Sequence, residues 1–147
     1  MKVYKFVLPS HNYYVSAVVD GKAEVKYFPG RWAKAPFWLR RRGYHLTAFK
    51  DLKSAREWAV TECGAPVLNL HAELWEAEAK GVIDKLPPVC LLWKLSQGII
   101  KQGGNFGCWP KGTIMVKRLR LIKPIETVYD LVEKRRSDAT RQLDTSN

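Results

Sequence analysis

Asp20-Gly21 separates two runs of β-branched and aromatic residues, Tyr13 to Val19 and Lys22 to Phe28, and no other feature narrows the fold of this chain as much. Glycine accepts positive φ, so an Asp-Gly pair relaxes into a type I′ turn whose twist matches that of paired strands. The spacing predicts an antiparallel hairpin, broken after its second arm by Pro29-Gly30. Ahead of it, Lys2 to Leu8 alternates, with Val3, Lys5 and Val7 on one side and Tyr4, Phe6 and Leu8 on the other. This predicts a first strand that ends at Pro9.

Further along, Tyr44 to Phe49 reads as a strand leading into a helix from Asp51 to about Glu62. Asp51 is the expected N-cap, Leu52, Ala55 and Ala59 share a face with Trp58 beside it, and Cys63-Gly64-Ala65-Pro66 supplies the stop. Pro66 to Ala72 reads as a strand, and Glu73 to Glu78 fits strand or helix. After Pro87-Pro88 come VCLLWKL, a strand or short helix, and the glycine-rich GIIKQGGNFGCWPKG. Thr113 to Leu121 predicts a strand. Val128, Leu131 and Val132 predict an amphipathic helix from Glu126 to about Arg136, with a polar tail that frays. The expected class is α+β: a mainly antiparallel sheet with an opening hairpin and one or two packed helices. A single globular domain is expected over 1–125, followed by the C-terminal helix and tail over 126–147.

Composition fits this reading. A chain of 147 residues folds as one domain and buries roughly 70% of its unfolded surface. With 46% hydrophobic and 27% charged residues it has the balance of a globular protein. Cys63, Cys90 and Cys108 are odd in number and widely spaced, which suits reduced thiols better than a disulfide framework or a zinc set. MKVYKFVLPSHNYYV lacks the layout of a secretory signal, and no apolar run reaches the length of a membrane span. A soluble, cytoplasmic protein is the expectation.

The net charge of +11 is unusual, and it is zoned. From Lys85 to Ile125 there are eight Lys and Arg and no Asp or Glu, and Arg31 to Lys50 holds six more cations without a carboxylate. Half of the fourteen acids lie between Asp51 and Asp84. Such zoning points to a polyanionic partner, bound in a salt-dependent way. In the Arg31 to Arg42 segment the cations Arg31, Lys34, Arg40, Arg41 and Arg42 are expected to meet phosphates, and Trp32 and Trp38 to offer stacking faces. The bland alternative is that the aromatic residues serve the core and the cations keep a loop soluble. Lys117, Arg118 and Arg120 in KGTIMVKRLRLIK extend the candidate surface, unless they simply protect an edge strand from pairing with other chains.

Signs of catalysis are weak. His45 with Glu57 or Glu73 would need the fold to bring them together, and a half-buried structural histidine is the simpler reading. Glu73, Glu76 and Glu78 suit a solvated face, or a partner for the arginine cluster, better than magnesium or acid-base chemistry. Gly103-Gly104, Gly107 and Lys111 lack phosphate-loop spacing. No catalytic set, metal site or cofactor is expected.

Gly43 to Ala59, GYHLTAFKDLKSAREWA, resembles the strand, turn and helix segment of some ADP-ribosyltransferase-like folds. The resemblance covers seventeen residues and implies a sheet fold without the activity. KVYKFVL has no Arg or His to hold a nicotinamide nucleotide, and neither a Ser-Thr-Ser motif nor a downstream catalytic Glu is matched.

Three readings follow. The leading one is a small nucleic-acid-binding accessory protein that engages DNA or RNA mainly through phosphates, of a kind suited to a virus, plasmid or other mobile element. The second is an interaction module for an acidic protein. The third is an enzyme on nucleotides using His45. Adsorption to lipid has no lipidation motif or Lys-rich amphipathic helix behind it.

Overall fold

Alternating apolar residues build most of the molecule. The computed structural model describes residues 1–17, 24–61, 70–83, 85–87 and 109–145. In chain order the elements are β1 (Lys2–Ser10), β2 (Tyr13–Ser16), β3 (Lys26–Tyr27), α1 (Phe37–Arg40), β4 (Leu46–Phe49), α2 (Leu52–Val60), β5 (Glu73–Ile83), β6 (Thr113–Thr127) and α3 (Val128–Thr145). All strand pairings are antiparallel, in a six-stranded sheet ordered β3-β2-β1-β4-β6-β5. Among the described residues this is an α+β fold of six strands and three helices. No described helix is long and apolar enough to cross a membrane.

The sheet bends back on itself. β1 pairs β5 from Lys2↔Glu78 to Val7↔Glu73, β5 pairs β6, β6 pairs β4, and β4 returns to β1 at Tyr4↔Phe49, so four strands form a closed circuit. Two register shifts in β6 against β5, at Leu74/Trp75 and Glu76/Ala77, add the twist that closure needs. Inside lie Val3 and Val7, Leu46 and Ala48, Trp75, Ala77 and Ala79, and Val116, Leu119 and Leu121, with Tyr27 and Ala35 beside them. The alanines matter because a circuit this narrow has little room for large side chains from every strand.

Outside the circuit, Phe6, Phe49 and Leu74 meet the helices. The rings of Phe6, Phe49 and Trp58 lie with centroids 5.5 to 6.1 Å apart. Ala55 and Ala59 bring α2 close to the sheet, while Val128 and Leu131 seat α3 on the same cluster. Arg56 Nε donates to Glu126 Oε1 at 2.6 Å, tying α2 to the end of β6. Asp51 caps α2 as expected, accepting from Ser54 N at 2.7 Å.

Four local expectations change, and one open choice is decided. Pro9 does not end β1, which continues to Ser10 and pairs Pro9 with Tyr14. Ala17 N donates to Phe6 O; by the alternation of antiparallel bonds Pro9 N then faces the other edge, where the pairing with β5 stops at Val7. Leu70 and His71 form a turn rather than the end of a strand, and the expected helix stop at 63–66 lies outside the described residues. Glu73 to Glu78 is strand, and Thr113 to Leu121 extends to Thr127. The polar tail is helical to Thr145: Lys, Arg, Ala, Gln and Leu are good helix formers, and propensity there outweighs the missing apolar face. Its start is a capping box, in which Asp130 N donates to Thr127 Oγ1 and Thr127 N to Asp130 Oδ2.

The opening hairpin is present as β2 and β3. Tyr14↔Tyr27 and Val15↔Lys26 have the register that a turn centred on Asp20-Gly21 sets, while 18–23 lie outside the described residues. The three cysteines, VCLLWKL and the glycine run at 103–107 also lie outside them.

Candidate functional site

The basic segment after β3 is placed by backbone pairing. Gly30, with φ of +82°, turns the chain. Gly30 N then donates to Leu121 O at 2.9 Å, and Ala33 and Leu119 exchange hydrogen bonds of 2.8 and 3.0 Å. Arg31 to Ala33 therefore run along β6, beside Arg118 and Arg120. Described parts of two stretches without acids, far apart in sequence, thus lie side by side.

Trp32 lies half-buried on that side. Lys80 Nζ is 4.4 Å and Arg120 Cζ 4.8 Å from its ring centre. Arg120 also binds the opposite residue on β5, with Nε and Nη2 both donating to Glu78 Oε2, at 3.1 and 2.6 Å. These bonds, and then the guanidinium charge itself, hold the Glu78 carboxyl below its ordinary pKa. Arg120 and the Trp32 ring are thus engaged with the protein's own groups.

Next comes α1, a single turn anchored by the buried Leu39, which packs with Tyr44 and Met115. Trp38 joins that cluster together with Ile83, Leu86 and Trp109. Tyr44 N donates to Leu39 O and Gly43 N to Arg40 O, both at 3.0 Å, closing the turn as a Schellman motif with Gly43 at φ of +85°. Arg40 Nε donates to Ala35 O at 3.0 Å and Arg42 Nη1 to Trp38 O at 2.8 Å. Phe37 points outward and stays 65% exposed, with Arg40 Cζ and Arg41 Cζ 5.6 and 5.9 Å from its ring centre.

His45 lies where the two stretches meet. Its Nδ1 is buried without a hydrogen-bond partner among the described residues. Its pKa is lowered by burial first, then by the positive charges of Lys117 and Arg40. The stem of Lys117 crosses Gly81, where an added Cβ would stand 2.9 Å from it. Neither carboxylate expected near His45 is paired with it: Glu73 accepts from Trp75 Nε1 at 3.0 Å, and Glu57 lies 3.9 Å from Lys53.

Among the described residues, Arg31, Lys34, Arg40, Arg41, Arg42, Lys117 and Arg118 are ion-paired with no carboxylate. Of the ten residues the sequence singles out, those seven have no described carboxylate partner. Arg120 is neutralised, Trp32 is capped by cations and Trp38 packs inward. Phe37 is one of the rings of this segment but not among the ten residues singled out, because an exposed and a buried aromatic look alike in sequence; its i,i+3 and i,i+4 spacing to Arg40 and Arg41 was the available signal.

Compared with known proteins, the chain matches no family model, no curated protein and no solved structure. What this face does rests on its own residues.

Proposed function

We propose that this is a small nucleic-acid-binding accessory protein, working in the cytoplasm, whose basic face binds DNA or RNA chiefly through phosphates. One observation carries the reading: the pairing of Arg31 to Ala33 with Leu119 to Leu121, which sets two acid-free stretches side by side. Guanidinium and ammonium groups left without carboxylates are suited to replace the counterions condensed on a phosphate backbone. With no base-reading motif in the chain, such contacts favour weak sequence selectivity.

Titration of labelled DNA and RNA oligonucleotides at several salt concentrations tests it. If about five phosphates are neutralised, log affinity falls with log salt at a slope of about −4 to −5 on duplex DNA. Absence of binding at low salt would refute the reading. Capture of one acidic protein after nuclease treatment would instead favour the interaction-module reading. For the enzymatic reading, the charged groups acting on His45 are cations, the opposite of what a general base needs to hold its proton.

A further inference from the structure

We propose that the exposed ring of Phe37, flanked by Arg40 and Arg41, is a stacking platform for an unpaired base, so that the preferred partner of the basic face is single-stranded nucleic acid. This rests on the phosphate-binding reading above and adds a strand preference to it.

Four observations support the assignment. Phe37 is exposed although its neighbours Trp38 and Leu39 both reach the cluster around Tyr44 and Met115, so the turn holds one aromatic residue in water while it buries Leu39 and half-buries Trp38. The turn is fixed before any ligand arrives, by the buried Leu39, the Schellman closure at Gly43 and the bond from Arg40 Nε to Ala35 O. A rigid ring loses little freedom when a base settles on it. Arg40 and Arg41 lie within 6 Å of the ring centre at 5.6 and 5.9 Å. They pair with no described carboxylate, so they are placed for the phosphates flanking a stacked base.

The chemistry then selects the strand. In a duplex both faces of each base are already covered by neighbouring pairs, and a side-chain ring gains access only to a base that is unpaired or extruded. Trp32 is less suited, being half-buried with Lys80 and Arg120 closer over its ring, at 4.4 and 4.8 Å, than the arginines are to the exposed Phe37, and the ring of Trp38 is committed to packing.

The test is fluorescence anisotropy of the full chain with a labelled oligothymidine of about twelve nucleotides, within the usual site size, and with the same strand paired to its complement. Wild type is expected to prefer the single strand. Phe37→Ala should weaken single-strand binding by about tenfold, the loss of one base stack, and leave duplex binding nearly unchanged. Phe37→Leu keeps apolar bulk without a π face and should resemble Phe37→Ala. Arg41→Ala should weaken both forms. Equal binding of both forms by wild type, or full affinity in Phe37→Leu, would overturn the platform while leaving phosphate binding in place. Failure of wild type to bind either form at low salt would overturn both. Because Phe37 is exposed, these variants should keep the wild-type circular dichroism spectrum; if Phe37→Ala does not, Phe37→Leu decides.

Discussion

Lys5 and Lys117 carry the same charge in opposite settings. Lys5 projects into the strand circuit between Val3 and Val7 and is only 5% exposed. Its Nζ donates to Thr47 O at 2.6 Å and lies 5.5 Å from the Tyr27 ring centre, and among the described residues it has no carboxylate partner. Burial pushes its pKa down to about 8 from the ordinary 10.5. Lys117 is exposed and lies within electrostatic reach of Arg40's neighbour His45. A sealed cation costs stability whatever binds, whereas clustered surface cations are held apart by water until a polyanion joins them. Charge is therefore a structural burden in one region and, on the proposed reading, a binding resource in the other.

The largest effect expected is at Lys5. Its folded-state pKa is lowered, so the unfolded chain holds the proton more tightly and stability rises with pH between about 8 and 10.5. Tyr27 acts in the opposite sense at higher pH, because burial raises its pKa and the folded state keeps a proton the unfolded chain loses. Lys5→Met isolates the lysine: in urea titrations it should be more stable than wild type at pH 7, and the gap should shrink by about 3 kcal/mol on reaching pH 10.5. Parallel pH profiles would mean that Lys5 is hydrated and the contrast is false.

A smaller effect is expected where the two regions share backbone. Gly81 has φ of +72° and Lys117 across it. Gly81→Ala should cost about 1–3 kcal/mol, combining left-handed strain with the clash. In a Lys117→Ala background the contacts with Cγ and Cδ are gone and only the one with the Cβ stays, so the cost should fall. An identical cost in both backgrounds would show that Lys117 does not seat across the glycine.

Smallest is the response of His45. Lys117→Ala should raise its pKa toward the ordinary 6.5, since a cation that disfavours imidazolium is gone. Added oligonucleotide should move it the same way by masking both cations. NMR titration of the imidazole reads both, and an unmoved value would show that the basic stretches do not share a field there.

Parts of this were legible in the chain. Alternation placed Lys5 with Val3 and Val7, and the hairpin, the α2 cap and the Thr113 strand followed from local chemistry. The Asp51 side chain needs only Ser54 N three residues on to make its bond. Residues far apart were harder. Nothing in KVYKFVL says that the side bearing Lys5 is enclosed, because enclosure comes from β4, β5 and β6. Phe37, Trp32 and Trp38 are likewise equivalent as letters, and they differ only in what the fold sets against each ring.

The sequence alone determined the antiparallel α+β class and the zoning of charge, because turn preference, alternation and composition act over a few residues. Tertiary structure decided which lysine was sealed, which aromatic faced water and whether Trp32 lay near Arg120. Those outcomes depend on β1 closing against β4 and β5, and on Ala33 pairing with Leu119. Such long-range contacts form only when the whole apolar interior is buried at once, and no local stretch of the chain encodes them.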